Sequence, residues 1–365
     1  MAMTSPHHRG DRIVDLDVVR AIALIGVCVM NYHGYLQLRG APKDAGFWGR
    51  VFDPAVGPLT TRFAATFVMV AGMGVSLLTQ RSRETNDRTR RSTDRWTLLR
   101  RGVLLLSFGF FLDWVWPGTI LFFYGAFFLA AAALFPLRSR WLLAVGAGAA
   151  VAGAALQWWA LDQTTLGHAT QWLFTGQAET HRSPRELLFD IVVRGTHPLF
   201  PWLAFLCIGM AIGRLLPFDA RMRVRLALAG CICVATGYLL EHVLPWHEHL
   251  RSTHPFDRGL LFTLTATGTA LTAISLIGWV AERTAQSPIT HALAVTGRTT
   301  LSIYVLHVLV FNLFVDWLEW VSPNGLRTAL LFALAFWAGA IVVANVWALR
   351  FAHGPLEWVY RRFGG

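Results

Sequence analysis

Polar side chains recur along one otherwise apolar segment, DLDVVRAIALIGVCVMNYHGY, which runs from Asp15 to Tyr35. On an α-helix at about 100° per residue, the eleven steps from Arg20 to Asn31 leave these side chains about 20° apart, with Asp17 on nearly the same face. At about 1.5 Å per residue, Arg20 and Asn31 lie roughly 16 Å apart along the axis. The spacing therefore predicts one polar face with a cation at one end and an amide at the other.

This face favours two interpretations. Because polar side chains in contact with lipid are strongly disfavoured, the face must turn toward the helix bundle or a watery cavity. Asp17 and Arg20, at i and i+3, are suited to a structural ion pair, with Asn31 bridging helices. Alternatively, an extended pantetheine arm is of the same order of length as the Arg20–Asn31 separation. Arg20, with Asp17 beside it, would then hold a coenzyme A phosphate, because guanidinium presents forked donors, and Asn31 would lie at the thioester.

Acyl transfer to a hydroxyl or an amine also needs a base near the attacking group, and histidine is the usual choice near neutral pH. The histidines predicted at membrane level are His33, His197, His242 and His307. His33 lies about 200° around the helix from Asn31, so it joins that face only if the helix unwinds at Gly34. We predict His33 as the base and His197, which opens a span, as the reserve. The alternative for each is a histidine that is hydrogen-bonded between helices.

A second polar face is predicted within TTLSIYVLH, where Thr300, Tyr304 and His307 fall on one side of a helix. We assign Tyr304 and His307 to the predicted cofactor site. No metal is expected: the histidines of HVLPWHEHLRSTH lack the H-E-x-x-H spacing and are interpreted as part of a solvated loop. The sequence also lacks a Walker loop, a dinucleotide fingerprint and a G-x-S-x-G elbow, which argues against ATPases, Rossmann enzymes and serine hydrolases.

Membrane helices must position these residues. Hydrophobic residues make up 55% of the 365 positions and charged residues 15%, with a mean hydropathy of +0.47. A bilayer core needs about 20 mostly apolar residues per helical crossing. The sequence therefore predicts an all-α, polytopic membrane protein with one domain over residues 1–365, about ten transmembrane helices and no signal peptide. The predicted spans are 14–36, 58–80, 99–115, 118–137, 141–160, 197–214, 224–245, 259–281, 299–318 and 327–349.

The net charge of +11 comes from basic residues concentrated on one side. With the N-terminus inside, most of the 32 Lys and Arg residues fall in cytoplasmic segments, which satisfies the positive-inside rule and predicts two cytoplasmic termini. Residues 1–13 form a predicted cytoplasmic tail and 350–365 a cytoplasmic interfacial helix. The run RSRETNDRTRRSTDRW is predicted to be a loop beside anionic lipid, so the expected partner is the bilayer and not nucleic acid.

The opening segment resembles that of the transmembrane acyltransferases. Its D-x-x-R-x10-N arrangement, at Asp17, Arg20 and Asn31, is similar to heparan-α-glucosaminide N-acetyltransferase, and acyltransferase-3 proteins show a similar arginine, ten residues and then a histidine. More of the chain resembles the bacterial YeiB family. The segments that carry this resemblance are FVMVAGMGVSLL, RRGVLLLSFGFFLDWVWPGTILFFYGAFFLAAAAL, HPLFPWLAFLCIGMAIGR, TGRTTLSIYVLH and GPLEWVYRR.

The resemblance implies that acyl-CoA, with acetyl-CoA the expected donor, binds from the cytoplasmic side and that the acyl group passes to a glycan or small metabolite at the outer face. In the glucosaminide enzyme a catalytic histidine follows the asparagine within the first outside loop. Here the loop LQLRGAPKDAGFWGRVFD has none, and His33 is the nearest substitute. The expected location is a bacterial cytoplasmic membrane, since arginine greatly outnumbers lysine, as in proteins from GC-rich bacterial genomes.

Two competing functions remain open on the sequence. The same polar face could line the path of a transporter, with Asp17 and Arg20 as a gate, or the chain could be a lipid-binding scaffold without enzymatic activity. Binding and hydrolysis of acyl-CoA separate an enzyme from both. The sequence does not fix the acceptor, the acyl chain length or the oligomeric state, and a homodimer is compatible with it.

Overall fold

The computed structural model describes residues 14–85, 87–170, 173 and 184–365, and within these ranges the chain forms helices and no strands. The all-α fold class is therefore confirmed, whereas the predicted tail at 1–13 lies outside the described residues. The main helices are α1 (Val14–Leu38), α2 (Arg62–Leu78), α3 (Arg88–Asp113), α4 (Ile120–Leu134), α5 (Ser139–Thr165), α6 (Leu199–Gly213), α7 (Ala220–Val243), α8 (Leu260–Arg283), α9 (Pro288–Gly297), α10 (Thr300–Phe311), α11 (Gly325–Ala348) and α12 (Pro355–Gly364).

Several of these helices suit a membrane. In the described part of the chain, 5 helices are long and apolar enough to cross it: α5, α7, α8, α10 with its π-helical extension to Trp317, and α11. The bent pair Arg185–Arg194 and Leu199–Gly213, at 59°, makes a sixth if it counts as one crossing. The apolar helices α2 and α4 are shorter. Each of the ten predicted spans contains a helix, but ten crossings stay a prediction.

One predicted loop is helical instead. The basic run at 81–96 falls on a short helix, Gln80–Glu84, and on α3, which begins at Arg88 and not near 99. Asp87 is the reason for this early start: its carboxylate accepts hydrogen bonds from the backbone N–H groups of Thr89 at 2.9 Å and Arg90 at 3.2 Å. Such an N-cap stabilises the first turn of a helix that hydropathy does not reveal, because its residues are charged.

The helix α1 runs through the centre of the bundle and packs against α2, α8, α9 and α11. Small residues allow close backbone approach between such helices. A Cβ added at Gly297, which ends α9, would lie 1.9 Å from the carbonyl oxygen of Asp17. The end of α9 therefore rests directly on the backbone of α1 and fixes the following residue, Arg298, beside Asp17.

The C-terminal segment forms the short helix α12, which lies within the helix predicted at 350–365 and begins at Pro355. Glu357 attaches this helix to the rest of the bundle. One of its carboxylate oxygens accepts hydrogen bonds from the backbone N–H groups of Leu301 at 2.7 Å and Ser302 at 3.1 Å, at the start of α10. These N–H groups have no partner within their own helix, so the contact satisfies them and docks α12 against α10.

Candidate active site

Two cavities lie at the two ends of α1, and we name them after the predicted membrane orientation. The inner cavity, of about 600 Å³, is lined by Asp17 and Arg20. The outer cavity, of about 530 Å³, is lined by Asn31 and His197. The polar face predicted from helical periodicity therefore does face open space, and each end of it meets a different cavity.

Arginines dominate the charge of the inner cavity. Its basic lining is Arg20, Arg101, Arg298 and Arg361, and its acidic lining is Asp17 and Glu357. Both carboxylates are engaged: Asp17 accepts a hydrogen bond from Arg20 Nη1 at 2.9 Å, and Glu357 caps α10. Arg298 Nε lies 3.7 Å from Asp17 Oδ2 and has no hydrogen-bond partner among the described residues. The excess of guanidinium groups suits an anionic ligand, phosphate above all.

Aromatic side chains complete this cavity. The guanidinium carbon of Arg101 lies 4.8 Å from the ring centroid of Tyr360 on α12. Burial raises the pKa of Tyr360 to about 12, so its phenol is neutral at physiological pH. Tyr124 on α4 also lines the cavity, and its buried hydroxyl has no hydrogen-bond partner in the described part of the chain. A ligand with an acceptor atom would satisfy that hydroxyl.

A thin wall separates the two cavities, because Ile120 and Tyr304 line both of them. The backbone N–H of Ile120 donates to the Tyr304 hydroxyl at 3.1 Å, and that hydroxyl lies 3.0 Å from Oγ1 of Thr119. The phenol oxygen accepts from the amide, and either hydroxyl can be the donor between Tyr304 and Thr119. Tyr304 and Ile120 therefore both belong to the wall between the two cavities.

A buried histidine orients Asn31. His307 is fully buried and lines neither cavity; its Nδ1–H donates to the carbonyl of Tyr304. Its Nε2 is therefore an acceptor, and it receives a hydrogen bond from Asn31 Nδ2 at 3.2 Å. Tyr32 donates to the His307 carbonyl at 3.1 Å. His307 thus orients Asn31 through this hydrogen bond, and the predicted contact of His307 with a cofactor stays untested.

The two candidate bases differ in their access to the outer cavity. His33 is 1% exposed and lines neither cavity, since α1 continues unbroken past Gly34. Its Nδ1 bonds the carbonyl of Phe52 at 2.7 Å, and its Nε2 lies 3.1 Å from the amide nitrogen of Gln37. Both ring nitrogens are therefore occupied. A role as base is untested for either histidine, but this geometry favours His197.

His197 reaches the outer cavity through a distinctive local structure. It follows a five-residue π-helix, Asp190–Arg194, and stands just before α6. Its Nδ1 lies 2.8 Å from the Thr196 hydroxyl, and its ring packs edge-on against Trp202 with centroids 4.5 Å apart. No described residue lies within hydrogen-bonding distance of Nε2, so that nitrogen is available to a ligand.

Sequence reasoning missed several lining residues of the inner cavity. They are Arg101, Tyr124, Arg298, Tyr360 and Arg361. A signal was present: all of them lie in the segments that carry the family resemblance, such as TGRTTLSIYVLH and GPLEWVYRR. Their convergence on one cavity is visible only in the folded chain.

Comparison with known proteins adds three matches. The family profile described as "Heparan-alpha-glucosaminide N-acetyltransferase, catalytic" matches residues 12–231. The profile described as "Protein of unknown function (DUF418)" matches residues 215–364. A curated relative, "Uncharacterized protein YeiB" of Escherichia coli (strain K12), is 22% identical over an alignment of 385 residues. The alignment covers 96% of this chain and 96% of the relative. The first profile includes Arg20, Asn31 and His197, and the second includes Arg298 and Tyr304.

Proposed function

Because this chain belongs to the YeiB-like family related to heparan-alpha-glucosaminide N-acetyltransferase, we propose that it is a multi-pass membrane acyltransferase. It would take an acyl group from cytoplasmic acyl-CoA, acetyl-CoA first among the donors, and transfer it to an acceptor at the outer face. The proposal includes ten crossings of a bacterial cytoplasmic membrane with both termini inside. The acceptor is a glycan or a small metabolite with a free hydroxyl or amine.

One observation carries the proposal: a cavity rich in guanidinium groups meets a second cavity with an available histidine nitrogen, and Tyr304 and Ile120 form the wall between them. The phosphates of coenzyme A would lie against Arg20 and Arg298, with Asp17 holding Arg20 in place. The pantetheine arm would then extend along α1 past Tyr304. The roughly 16 Å rise from Arg20 to Asn31 matches this arrangement.

Two residues that line the outer cavity, His197 and Asn31, have distinct roles in the proposed transfer. The oxygen or nitrogen of the acceptor attacks the thioester carbonyl carbon, and His197 Nε2 takes the proton that the acceptor loses. Asn31 donates its second amide hydrogen to the carbonyl oxygen, where negative charge develops. The carbon–sulfur bond then breaks, and the leaving thiolate takes the proton from His197. The products are the acylated acceptor and free coenzyme A, with no net change in protons.

The test is release of coenzyme A from acyl-CoA by the purified protein, with acetyl-, butyryl- and octanoyl-CoA compared in the presence of candidate acceptors. Since Cys231 is exposed, coenzyme A is best quantified by chromatography and not with a thiol reagent. We expect binding of at least one acyl-CoA and acceptor-dependent release that Asn31→Ala abolishes. Absence of binding to all three donors would refute the proposal.

A transporter is the second candidate, because the two cavities face opposite ends of α1 across one thin wall. Such a protein would move an anion from the basic inner cavity outward and leave it chemically unchanged. Proteoliposomes loaded with radiolabelled acetyl-CoA distinguish the two functions. Label that appears outside as intact acetyl-CoA supports transport, whereas label on the acceptor, with coenzyme A retained inside, supports acyl transfer.

A further inference from the structure

A third cavity, of about 740 Å³, lies beside the outer cavity. The two share one wall, because Phe256 lines both of them, while Val56 lines the third cavity and its neighbour Ala55 the outer one. The Nε2 atom of His254 bonds the carbonyl of Ala55 and so holds this wall together. A molecule with its reacting group in the outer cavity could therefore extend past Phe256 into the third cavity.

A buried amide in the third cavity lacks a partner. Gln157 on α5 lines the cavity and is 5% exposed. Its Oε1 is buried and has no hydrogen-bond partner among the described residues. Buried polar atoms are nearly always hydrogen-bonded in folded proteins, so an unpaired one at a cavity calls for a ligand or an ordered water. A ligand that pairs with this oxygen presents a donor, that is, an O–H or N–H group.

The charge of this cavity is opposite to that of the inner cavity. Its lining includes the carboxylates of Glu248 and Asp257 and, in the described part of the chain, neither lysine nor arginine. Asp257 Oδ1 lies 2.9 Å from Nδ1 of His249, which also lines the cavity and whose ring stacks on His247 with centroids 5.5 Å apart. Carboxylates in such a lining disfavour polyanions and accept hydrogen bonds from hydroxyl and ammonium groups.

The remaining lining offers hydroxyls and one aromatic surface. Thr164, Thr170 and Ser252 contribute side-chain hydroxyls, and Phe256 is 42% exposed. A few polar groups beside an aromatic flank suit a ligand with both C–H faces and many hydroxyls, as in a sugar chain. An apolar ligand would leave Gln157 unpaired, and a polyanion would meet two carboxylates.

We propose that the third cavity is a second acceptor subsite that binds the distal part of a neutral or amine-bearing oligosaccharide while its reacting unit lies in the outer cavity. This inference rests on the proposed function, and it deepens it by excluding polyanionic acceptors. Two residues then determine specificity: Gln157, whose Oε1 accepts a hydrogen bond from the oligosaccharide, and Asp257, whose carboxylate also accepts one.

Equilibrium binding to the full-length protein in detergent, without acyl-CoA, tests the inference. The probes are the glucosamine monomer, the glucosamine tetramer and a sulfated tetrasaccharide. We expect the tetramer to bind at least about tenfold more tightly than the monomer, and the sulfated probe to bind more weakly than the tetramer. Gln157→Leu should weaken tetramer binding about tenfold and leave monomer binding unchanged. Because that variant removes a buried atom without a partner, it should fold normally.

Gln163→Leu is the matched control, since it makes the same substitution at a partly exposed position of α5 outside the cavity. Equal affinity for monomer and tetramer, equal effects of the two leucine variants, or tightest binding of the sulfated probe would each overturn the inference. Acyl-CoA binding is measured on the same samples. Its absence would refute the acyltransferase proposal, whereas normal acyl-CoA binding with no preference for the tetramer would refute only the second subsite.

Discussion

Arg298→Gln should separate ligand binding from folding. In the unliganded protein we expect Arg298 to contribute little to stability, because its Nε has no hydrogen-bond partner among the described residues and lies 3.7 Å from Asp17, which keeps its bond to Arg20. A phosphate about 5 Å from a guanidinium gains about 3 kcal/mol at an effective dielectric constant of about 20. Allowing for water in the open cavity, about 2 kcal/mol of binding energy should be lost, which corresponds to a rise in Kd of about thirtyfold.

Isothermal titration of the purified protein with coenzyme A measures this Kd, and thermal unfolding measures stability in parallel. For Arg298→Gln we expect weaker binding with a nearly unchanged Tm. Higher salt should weaken the wild-type interaction more than that of the variant, because part of the attraction is already lost in the variant. Removal of the 3′-phosphate from the ligand tests whether that group is the one in contact.

Arg223→Gln should have the opposite effect to Arg298→Gln: it should lower stability and leave coenzyme A binding unchanged. Arg223 is buried outside the inner cavity, where its Nη2 lies 2.5 Å from Asp15 Oδ2 and also bonds Glu282. Removal of this arginine leaves a buried carboxylate without its partner, a change that costs about 3–5 kcal/mol of stability. The Tm should fall clearly, while the folded fraction keeps the wild-type Kd for coenzyme A.

Wild-type affinity of a well-folded Arg298→Gln protein would refute the assignment of phosphates to the inner cavity.

Three further substitutions test other parts of the structure. His197→Gln should lower acceptor-dependent release of coenzyme A by about a hundredfold or more with acyl-CoA affinity unchanged, because the general base is lost; wild-type release would exclude His197. His33→Gln should instead lower the Tm, because both ring nitrogens of His33 are hydrogen-bonded. Full transfer activity per folded protein would agree with a structural role for His33. Loss of activity with an unchanged Tm would identify His33 as the base. Gly209→Ala should cost about 1–3 kcal/mol in chemical unfolding, because its Cβ would lie 2.0 Å from the carbonyl oxygen of Met69; an unchanged unfolding midpoint would contradict this packing.

Local periodicity predicted the part of the site that lies on one helix. Asp17, Arg20 and Asn31 all line cavities, since a regular α1 carries them on one face over its full length. The same periodicity placed His33 on another face unless the helix unwound, and the helix does not unwind. Rules based on 3.6 residues per turn are sufficient for such questions, because they concern neighbours along a single element.

The rest of the site depends on which helices meet, and hydropathy carries no information about that. Arg101, Arg298 and Tyr360 come from three helical segments far apart in the chain and converge on one cavity. Apolar spans resemble one another, so the sequence gives no order for their packing. The early start of α3 was missed for a related reason: a hydropathy window ends at the first charged turn, although the backbone continues as a helix to the Asp87 cap.

The two matched profiles divide the chain in sequence, but the inner cavity is built from both. The segment at 12–231 supplies Arg20 and the segment at 215–364 supplies Arg298, and the contact of Gly297 with the Asp17 backbone holds the two guanidinium groups around one carboxylate. Tyr304, from the second segment, bonds Ile120 from the first and forms the wall between the cavities. The first segment contains the candidate base and the candidate thioester contact, whereas Arg298, Arg361 and Tyr304, which line the inner cavity, lie in the second segment. We therefore infer that the second segment completes the proposed donor site, and that neither segment forms it alone.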